Sequence, residues 1–211
     1  MNTTRLMKRC ALLGALTGGS IPGVHASDLF VTVTEAGDAY RLRAVAVLDA
    51  PEDYVYRVIT DYRHADRINP AITSIEILPT ERNGVTRMKN RSEHHLGPFA
   101  FDIEWVGDIV ETGHRRVDIT TVPELSSFES GSAVWEMRPA GDRTWLRHES
   151  TMRPKFCILP VIGDYLVKKH VEEETRDIFH RIERQARSLL ERDKPEDLGG
   201  QGVVLSSSRR H

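Results

Sequence analysis

The chain has 211 residues and a formal net charge of −2, from 29 basic and 31 acidic side chains. This length is sufficient for a single domain with a sizeable hydrophobic core. The charges nearly balance, and no cluster of basic residues is interleaved with aromatic residues, so a nucleic-acid-binding protein is excluded as a working interpretation.

The first 26 residues have the pattern of a secretory signal peptide. Three basic residues precede a short apolar run at 11–16, and Val24 and Ala26 fit a signal-peptidase site. The apolar run is much shorter than the roughly 20 residues that span a bilayer. We therefore predict cleavage near Ala26 and an exported protein, either periplasmic or secreted. An uncleaved membrane anchor is the alternative.

A strand that runs directly into a helix is predicted between residues 40 and 70. Apolar side chains alternate from Tyr40 to Leu48, and helical spacing of apolar residues begins at Tyr54. Pro51 suits the first helical turn, where a backbone N–H is not needed.

Residues 71–153 have the pattern of short strands separated by turns. Apolar side chains share one face at Phe101, Ile103 and Trp105, with Asp102 on the opposite face. One apolar, buried face and one polar, solvent-exposed face are typical of an antiparallel sheet that is covered on a single side. The turn signals are Asn83-Gly84, Gly97-Pro98, Thr112-Gly113-His114 and Gly141-Asp142.

A long amphipathic helix is predicted from Gly163 to Leu190, roughly 40 Å at 1.5 Å per residue. Its apolar residues repeat at steps of three and four, which favours a helix packed across the sheet. A surface coiled coil is the alternative. The apolar positions are Val167, Val171, Thr175, Ile178, Ile182, Ala186 and Leu189.

These patterns divide the chain into a signal peptide at 1–26, a folded domain at 27–191 and a disordered tail at 192–211, where no apolar face remains. Cys157 is the only cysteine after cleavage near Ala26, so an internal disulfide cannot form. Its thiol is either a buried small hydrophobe or a reactive group.

Several local segments carry a resemblance to a known family. They are VLDAPEDYVYRVITDY at 47–62, ITSIEIL at 72–78 after Asn69-Pro70, SAVWEMRPAGDRTWLRHES at 132–150, and the region 152–186 with Pro154 and Pro160. Together they resemble the START-related SRPBCC superfamily, and within it the coenzyme Q-binding and polyketide-cyclase-like branch.

The resemblance implies an α+β helix-grip fold. In this fold a curved antiparallel sheet wraps around a long C-terminal helix, and two short helices follow the first strand. It also implies a cavity between sheet and helix for a hydrophobic small molecule, such as a quinone, sterol, lipid or polyketide. The fold alone does not identify which of these is bound.

The candidate ligand-binding residues are those expected to face this cavity. His94 is assigned inward because its face of the strand carries fewer charges than the other. His95 points to the opposite face, so the two histidines cannot form a simple metal pair, and we predict no metal or cofactor. The candidates are Met88, Asn90, His94, Phe101, Ile103, Trp105, Ile119, Trp135, His148, Ser150, Val171, Thr175, Ile178 and Ile182.

Polar residues among the inward positions form a predicted belt inside the apolar cavity. Such a belt can orient the polar end of a ligand. Alternatively, its members bond to each other or to buried water. The belt comprises Asn90, Ser92, His94, Thr121, His148 and Ser150.

The sequence favours a non-catalytic carrier of a hydrophobic ligand, because no nucleophile motif or phosphate-binding loop is present. The first alternative is a polyketide cyclase or aromatase in which His94 or His148 acts as acid–base. The second is an interaction module whose cavity is filled. Transient membrane contact and the oligomeric state are left open.

Overall fold

The computed structural model describes residues 29–96, 99–156 and 163–194. The predicted signal peptide, the turn at Gly97-Pro98, Cys157, Pro160 and the tail beyond Lys194 lie outside the described residues.

Eight strands and two α-helices make up the described fold. The strands are β1 (Phe30–Ala36), β2 (Ala39–Leu48), β3 (Ile72–Leu78), β4 (Val85–Leu96), β5 (Phe99–Thr112), β6 (Arg116–Thr121), β7 (Phe128–Ala140) and β8 (Arg143–Pro154). The helices are α1 (Glu52–Ile59) and α2 (Gly163–Asp193), with short 3₁₀ helices at Tyr62–Arg67 and Pro123–Leu125.

The strands form one curved antiparallel sheet in the order β1-β2-β8-β7-β6-β5-β4-β3. Helix α2 contacts β1 and β2 near one edge of the sheet and β4 near the other. The sheet therefore wraps around the helix, and the predicted α+β helix-grip fold is confirmed.

The structure has one strand, β1, before the first strand that was predicted from the sequence. We predicted a single strand before the helices, whereas β1 and β2 form a hairpin in which Val31 pairs with Ala44. Gly37, in the turn, has a φ of +67°, a conformation that glycine adopts without steric cost. After β2 the elements follow the predicted order of two short helices, six strands and one long helix.

The solid core lies where α1 and the C-terminal part of α2 pack on the sheet. Phe179, Ile182 and Ala186 are at most 1% exposed and belong to one cluster with Val55 of α1. Thr144 closes this region by donating a hydrogen bond of 2.7 Å to the Ala50 carbonyl. Burying a side chain such as Ile182 contributes about 2 kcal/mol of stability.

Neither α-helix in the described part of the chain has an apolar stretch of the length that a membrane crossing would require.

Candidate functional site: a cavity under the long helix

A cavity of about 460 Å³ lies between the sheet and the N-terminal half of α2. This volume lies in the range of roughly 300–1,000 Å³ that is typical of small-molecule sites. Aromatic and aliphatic side chains from the strands form most of its wall. A cavity of this size does not fit the alternative of a filled interaction module.

The structure places thirteen of the fourteen candidate ligand-binding residues in the cavity wall. The exception is Ile182, which is fully buried in the solid core beside Phe179. The apolar stripe of α2 continues past the end of the cavity, and in that part α1 occupies the space. The residues in the wall are Met88, Asn90, His94, Phe101, Ile103, Trp105, Ile119, Trp135, His148, Ser150, Val171, Thr175 and Ile178.

All six residues of the predicted polar belt also lie in the wall. Two of them, His94 and Ser92, bond to each other, as the alternative interpretation had it, and Thr121 bonds to Trp105 of the wall. The ring Nε2 of His94 lies 2.9 Å from the Ser92 hydroxyl, and Trp105 Nε1 donates a hydrogen bond of 3.0 Å to Thr121. These bonds fix the orientation of the His94 ring and of the Trp105 indole.

Two glycines provide the space for the Trp105–Thr121 pair. A Cβ atom at Gly107 would overlap the Trp105 ring, and one at Gly131 would overlap the Thr121 hydroxyl. A side chain at either position would displace a wall residue, so both glycines shape the cavity.

His148 is a buried, neutral member of the wall. Its ring stacks on Trp135 with centroids 4.0 Å apart, and its Nδ1 atom is buried without a hydrogen-bond partner among the described residues. Burial lowers the pKa of His148 from 6.5 to about 4, against a smaller opposing effect of the Val134 backbone. At neutral pH this ring is therefore uncharged.

His94 belongs to a different environment, a cluster that joins β4 to α2. Its Nδ1 atom lies 3.5 Å from Glu174 Oε2, and the Nε2 atom of His170 lies 3.9 Å from the same oxygen. His170 and Glu174 are four residues apart, so they share one face of the helix. We call His94, His170 and Glu174 the histidine–glutamate cluster.

The carboxylate of this cluster is held in its charged form. Burial acts to raise the pKa of Glu174, but hydrogen bonding to His94, electrostatic interaction with both histidines and the Asn69 amide together lower it below its usual value. Glu174 is therefore ionised at neutral pH, although it lies in the wall of a mostly apolar cavity.

The sequence interpretation did not identify His170 and Glu174 as site residues. Both lie within the charged run KKHVEEETR, which favoured a solvent-exposed helix face. The spacing did contain a signal that these two residues lie next to the covered face of the helix. His170 directly precedes Val171 of the apolar stripe, and Glu174 directly precedes Thr175. The wall also contains Asn69, which precedes β3.

Residues 48–180 match the family described as polyketide cyclase / dehydrase and lipid transport. The chain belongs to this family. The match spans more than half of the chain and confirms the resemblance to START-related SRPBCC proteins. Proteins of this family bind hydrophobic ligands such as lipids or polyketides.

Solved structures of the same fold are similar to this chain at low sequence identity. A protein from Thermus thermophilus has a TM-score of 0.59 and 19% identity, over 71% of this chain and 98% of that one. The Zhui aromatase/cyclase from Streptomyces sp. R1128 has a TM-score of 0.59 and 15% identity, over 72% and 96%. A STAR-related lipid transfer protein fragment from Xanthomonas axonopodis has a TM-score of 0.57 and 16% identity, over 75% and 92%.

At these identities the solved structures establish the shared fold alone. None of the curated protein sequences compared with this chain matches it.

Proposed function

We propose that this protein binds one hydrophobic small molecule in the cavity under α2 and carries it without chemical change. The observation that carries the proposal is the cavity itself, about 460 Å³ in volume with a wall that is mostly aromatic and aliphatic. Apolar surface transferred from water into such a wall stabilises the complex by roughly 25 cal/mol per Å² before the costs of association.

The polar groups of the wall define the kind of ligand. Asn90 and Ser150 lie in the wall together with the histidine–glutamate cluster, and a ligand without polar atoms would bury these groups against hydrocarbon. A ligand with an apolar body and a hydroxyl or carbonyl group satisfies both parts of the wall. Quinones, sterols and polyketides have this composition, and so do fatty acids through their carboxyl group.

A second function, acid–base catalysis on a polyketide-like substrate, is favoured by one observation. His94 lies 3.5 Å from a carboxylate that is ionised, and a histidine oriented by a carboxylate is a common general base. His148 is less suited to this role, because burial keeps it neutral and its Nδ1 atom has no partner in the described chain.

Export is part of the proposal. The support is the sequence of residues 1–26, with basic residues before a short apolar run and small residues before the cleavage site. If the protein is expressed from its full gene sequence and purified from the periplasm or medium, intact-mass analysis should give a chain that begins at Ser27. Full-length protein that is confined to the cytosol would contradict export.

Ligand binding can be measured through tryptophan fluorescence. Trp105 and Trp135 lie in the cavity wall, whereas Trp145 lies on the opposite face of β8 from His148, under Arg138. In a Trp145→Phe variant both remaining tryptophans line the cavity. A quinone, sterol, fatty acid or polyphenol that binds should change their emission and raise the midpoint of thermal unfolding.

A panel that changes neither emission nor thermal stability would contradict ligand binding altogether. The carrier and the enzyme are separated by recovering the ligand. After incubation and solvent extraction, a carrier returns a ligand of unchanged mass, whereas a cyclase returns a product. A changed mass that disappears in a His94→Gln variant would replace the carrier proposal with the catalytic one.

A further inference from the structure

Three potential metal ligands converge at one point of the cavity wall. They are one nitrogen each from His94 and His170 and one carboxylate oxygen from Glu174, and these atoms all lie within 4.8 Å of one another. His94 comes from β4, and the other two come from α2. The sheet and the helix therefore meet at this cluster.

The two separations that involve Glu174 are close to those around a bound transition metal. Two ligand atoms about 2.0 Å from a tetrahedral zinc ion are roughly 3.3 Å apart. The corresponding distances to Glu174 Oε2 are 3.5 Å from His94 and 3.9 Å from His170. Movement of the three side chains toward one another would bring them to coordination distance, and two histidines with one glutamate are an established zinc ligand set.

A buried nitrogen without a hydrogen bond also indicates a ligand. The Nε2 atom of His170 is buried and has no hydrogen-bond partner among the described residues. A buried polar atom that lacks a hydrogen-bond partner is destabilising. Coordination of a cation would provide the missing interaction, because this nitrogen is one of the three converging atoms.

The surrounding residues hold two of the three ligands in place, as the outer shell of a metal site does. If Nδ1 of His94 coordinates a metal, its Nε2–H can donate to the Ser92 hydroxyl 2.9 Å away. Asn69, also in the wall, interacts with Glu174 and is itself held by the Ala71 N–H, which donates to its side-chain oxygen at 3.0 Å.

We propose that His94, His170 and Glu174 bind a divalent transition-metal ion of the zinc class in the wall of the cavity. Three protein ligands leave at least one coordination position for water or for an oxygen of a bound molecule. This proposal does not depend on the identity of the hydrophobic ligand or on whether the protein is a carrier. It replaces the sequence-based expectation that no metal is bound, which considered only the neighbouring His94 and His95.

The test is metal binding to the untagged protein after treatment with a chelator. Titration calorimetry with Zn²⁺ should show one site per chain that is tighter than any others. Co²⁺ should give visible absorption bands of a four- or five-coordinate ion. His170→Ala and Glu174→Gln should each weaken this site at least tenfold. Ser92→Ala, which removes an outer-shell partner, should weaken it by about tenfold.

Matched controls separate this site from other histidines. His95 is adjacent to His94 but lies on the exposed face, with its Nε2 atom 3.0 Å from Glu93. His95→Gln should leave the affinity and the Co²⁺ spectrum unchanged. His170 is partly exposed, so its alanine variant should fold, which circular dichroism can verify.

Absence of a stoichiometric site in the wild type would overturn the proposal. Equal affinity in folded His170→Ala, Glu174→Gln and wild-type protein would overturn it as well, because the metal would then bind elsewhere. The fluorescence panel, repeated with chelator present, reports on the hydrophobic ligand separately, so failure of one proposal is distinguishable from failure of the other.

Discussion

The two halves of α2 carry the same pattern of apolar residues but have different surroundings. In the C-terminal half, Phe179, Ile182 and Ala186 are buried in a filled core with α1. In the N-terminal half, Val171 and Thr175 face a cavity. The difference comes from the partner, because α1 fills the space beside one half and not beside the other.

This comparison shows what helical periodicity can establish. Apolar residues at spacings of three and four identify the face of a helix that is turned away from solvent. They do not show whether that face touches other side chains or borders a cavity. A filled core contributes stability, since each buried side chain makes contacts on all sides. A hollow region gives up part of that stability and gains a site for a ligand.

The largest expected difference between the halves is in the cost of truncating an isoleucine. Ile182→Ala should lower the free energy of unfolding by about 3 kcal/mol, since it opens a cavity in a filled core. Ile178→Ala should lower it by about 1 kcal/mol, because Ile178 already borders the cavity and has fewer contacts to lose. Urea unfolding of both variants measures the difference, and equal losses would show that the halves are packed alike.

The stability of the protein should also depend on pH through His148, which lies where the two halves meet. Its ring stacks on Trp135, and the Trp135 ring contacts Phe179 of the filled half with ring centroids 5.7 Å apart. With a pKa near 4 in the fold and 6.5 when unfolded, His148 takes up its proton more readily in the unfolded chain. Its contribution to stability is therefore complete above about pH 7.5 and is lost as pH falls. The loss should be about 2 kcal/mol at pH 5.

Urea unfolding at pH 7.5 and pH 5 checks this expectation. His148→Gln should remove that part of the pH dependence, whereas His95→Gln, which alters an exposed ring, should retain it. If the wild type and His148→Gln lose the same stability on acidification, the expectation is wrong. The His148 ring would then be accessible to water.

The smallest expected effect on stability is that of filling the hollow half. Thr175→Trp places a large ring toward existing space, so it should cost less than about 1 kcal/mol, below the usual 1–3 kcal/mol of overpacking. It should weaken ligand binding at least tenfold in the fluorescence assay. Thr175→Val is the control, since it removes the hydroxyl, which donates to the Val171 carbonyl, without adding volume.

The matched substitution in the filled half is Ala186→Trp. Ala186 is 0% exposed, so a tryptophan there has no space to enter and should destabilise the protein far more than Thr175→Trp does. Similar stability of the two tryptophan variants would mean that the N-terminal half is not hollow in solution.

Much of the sheet could be predicted from the sequence because its signals are local. The inward face of β4, from Met88 to His94, was identified from the alternation of charge along one strand, and the structure places these side chains at the cavity. Strand β1 was not identified although its pattern is present, because Val31 and Val33, both buried, alternate with Thr32 and Thr34.

The histidine–glutamate cluster could not be predicted in the same way. His94 and Glu174 are brought together by the packing of α2 on the sheet, and no local pattern encodes a contact between positions so far apart in the chain. Ile182 was assigned to the cavity because its spacing matches that of Ile178. Only the position of α1 shows that it belongs to the core.

The order of the described strands leaves the two edges of the sheet unpaired with each other. Strands β1 and β3 are the two edges of the sheet and do not pair with each other in the described chain. Side-chain contacts of α2 connect the two margins: Lys168 with Glu35 of β1, and Glu174 with His94 of β4. The seam between the margins can widen by breaking such contacts while every hydrogen bond between neighbouring strands stays intact. Opening of this seam therefore would not require any part of the sheet to unfold.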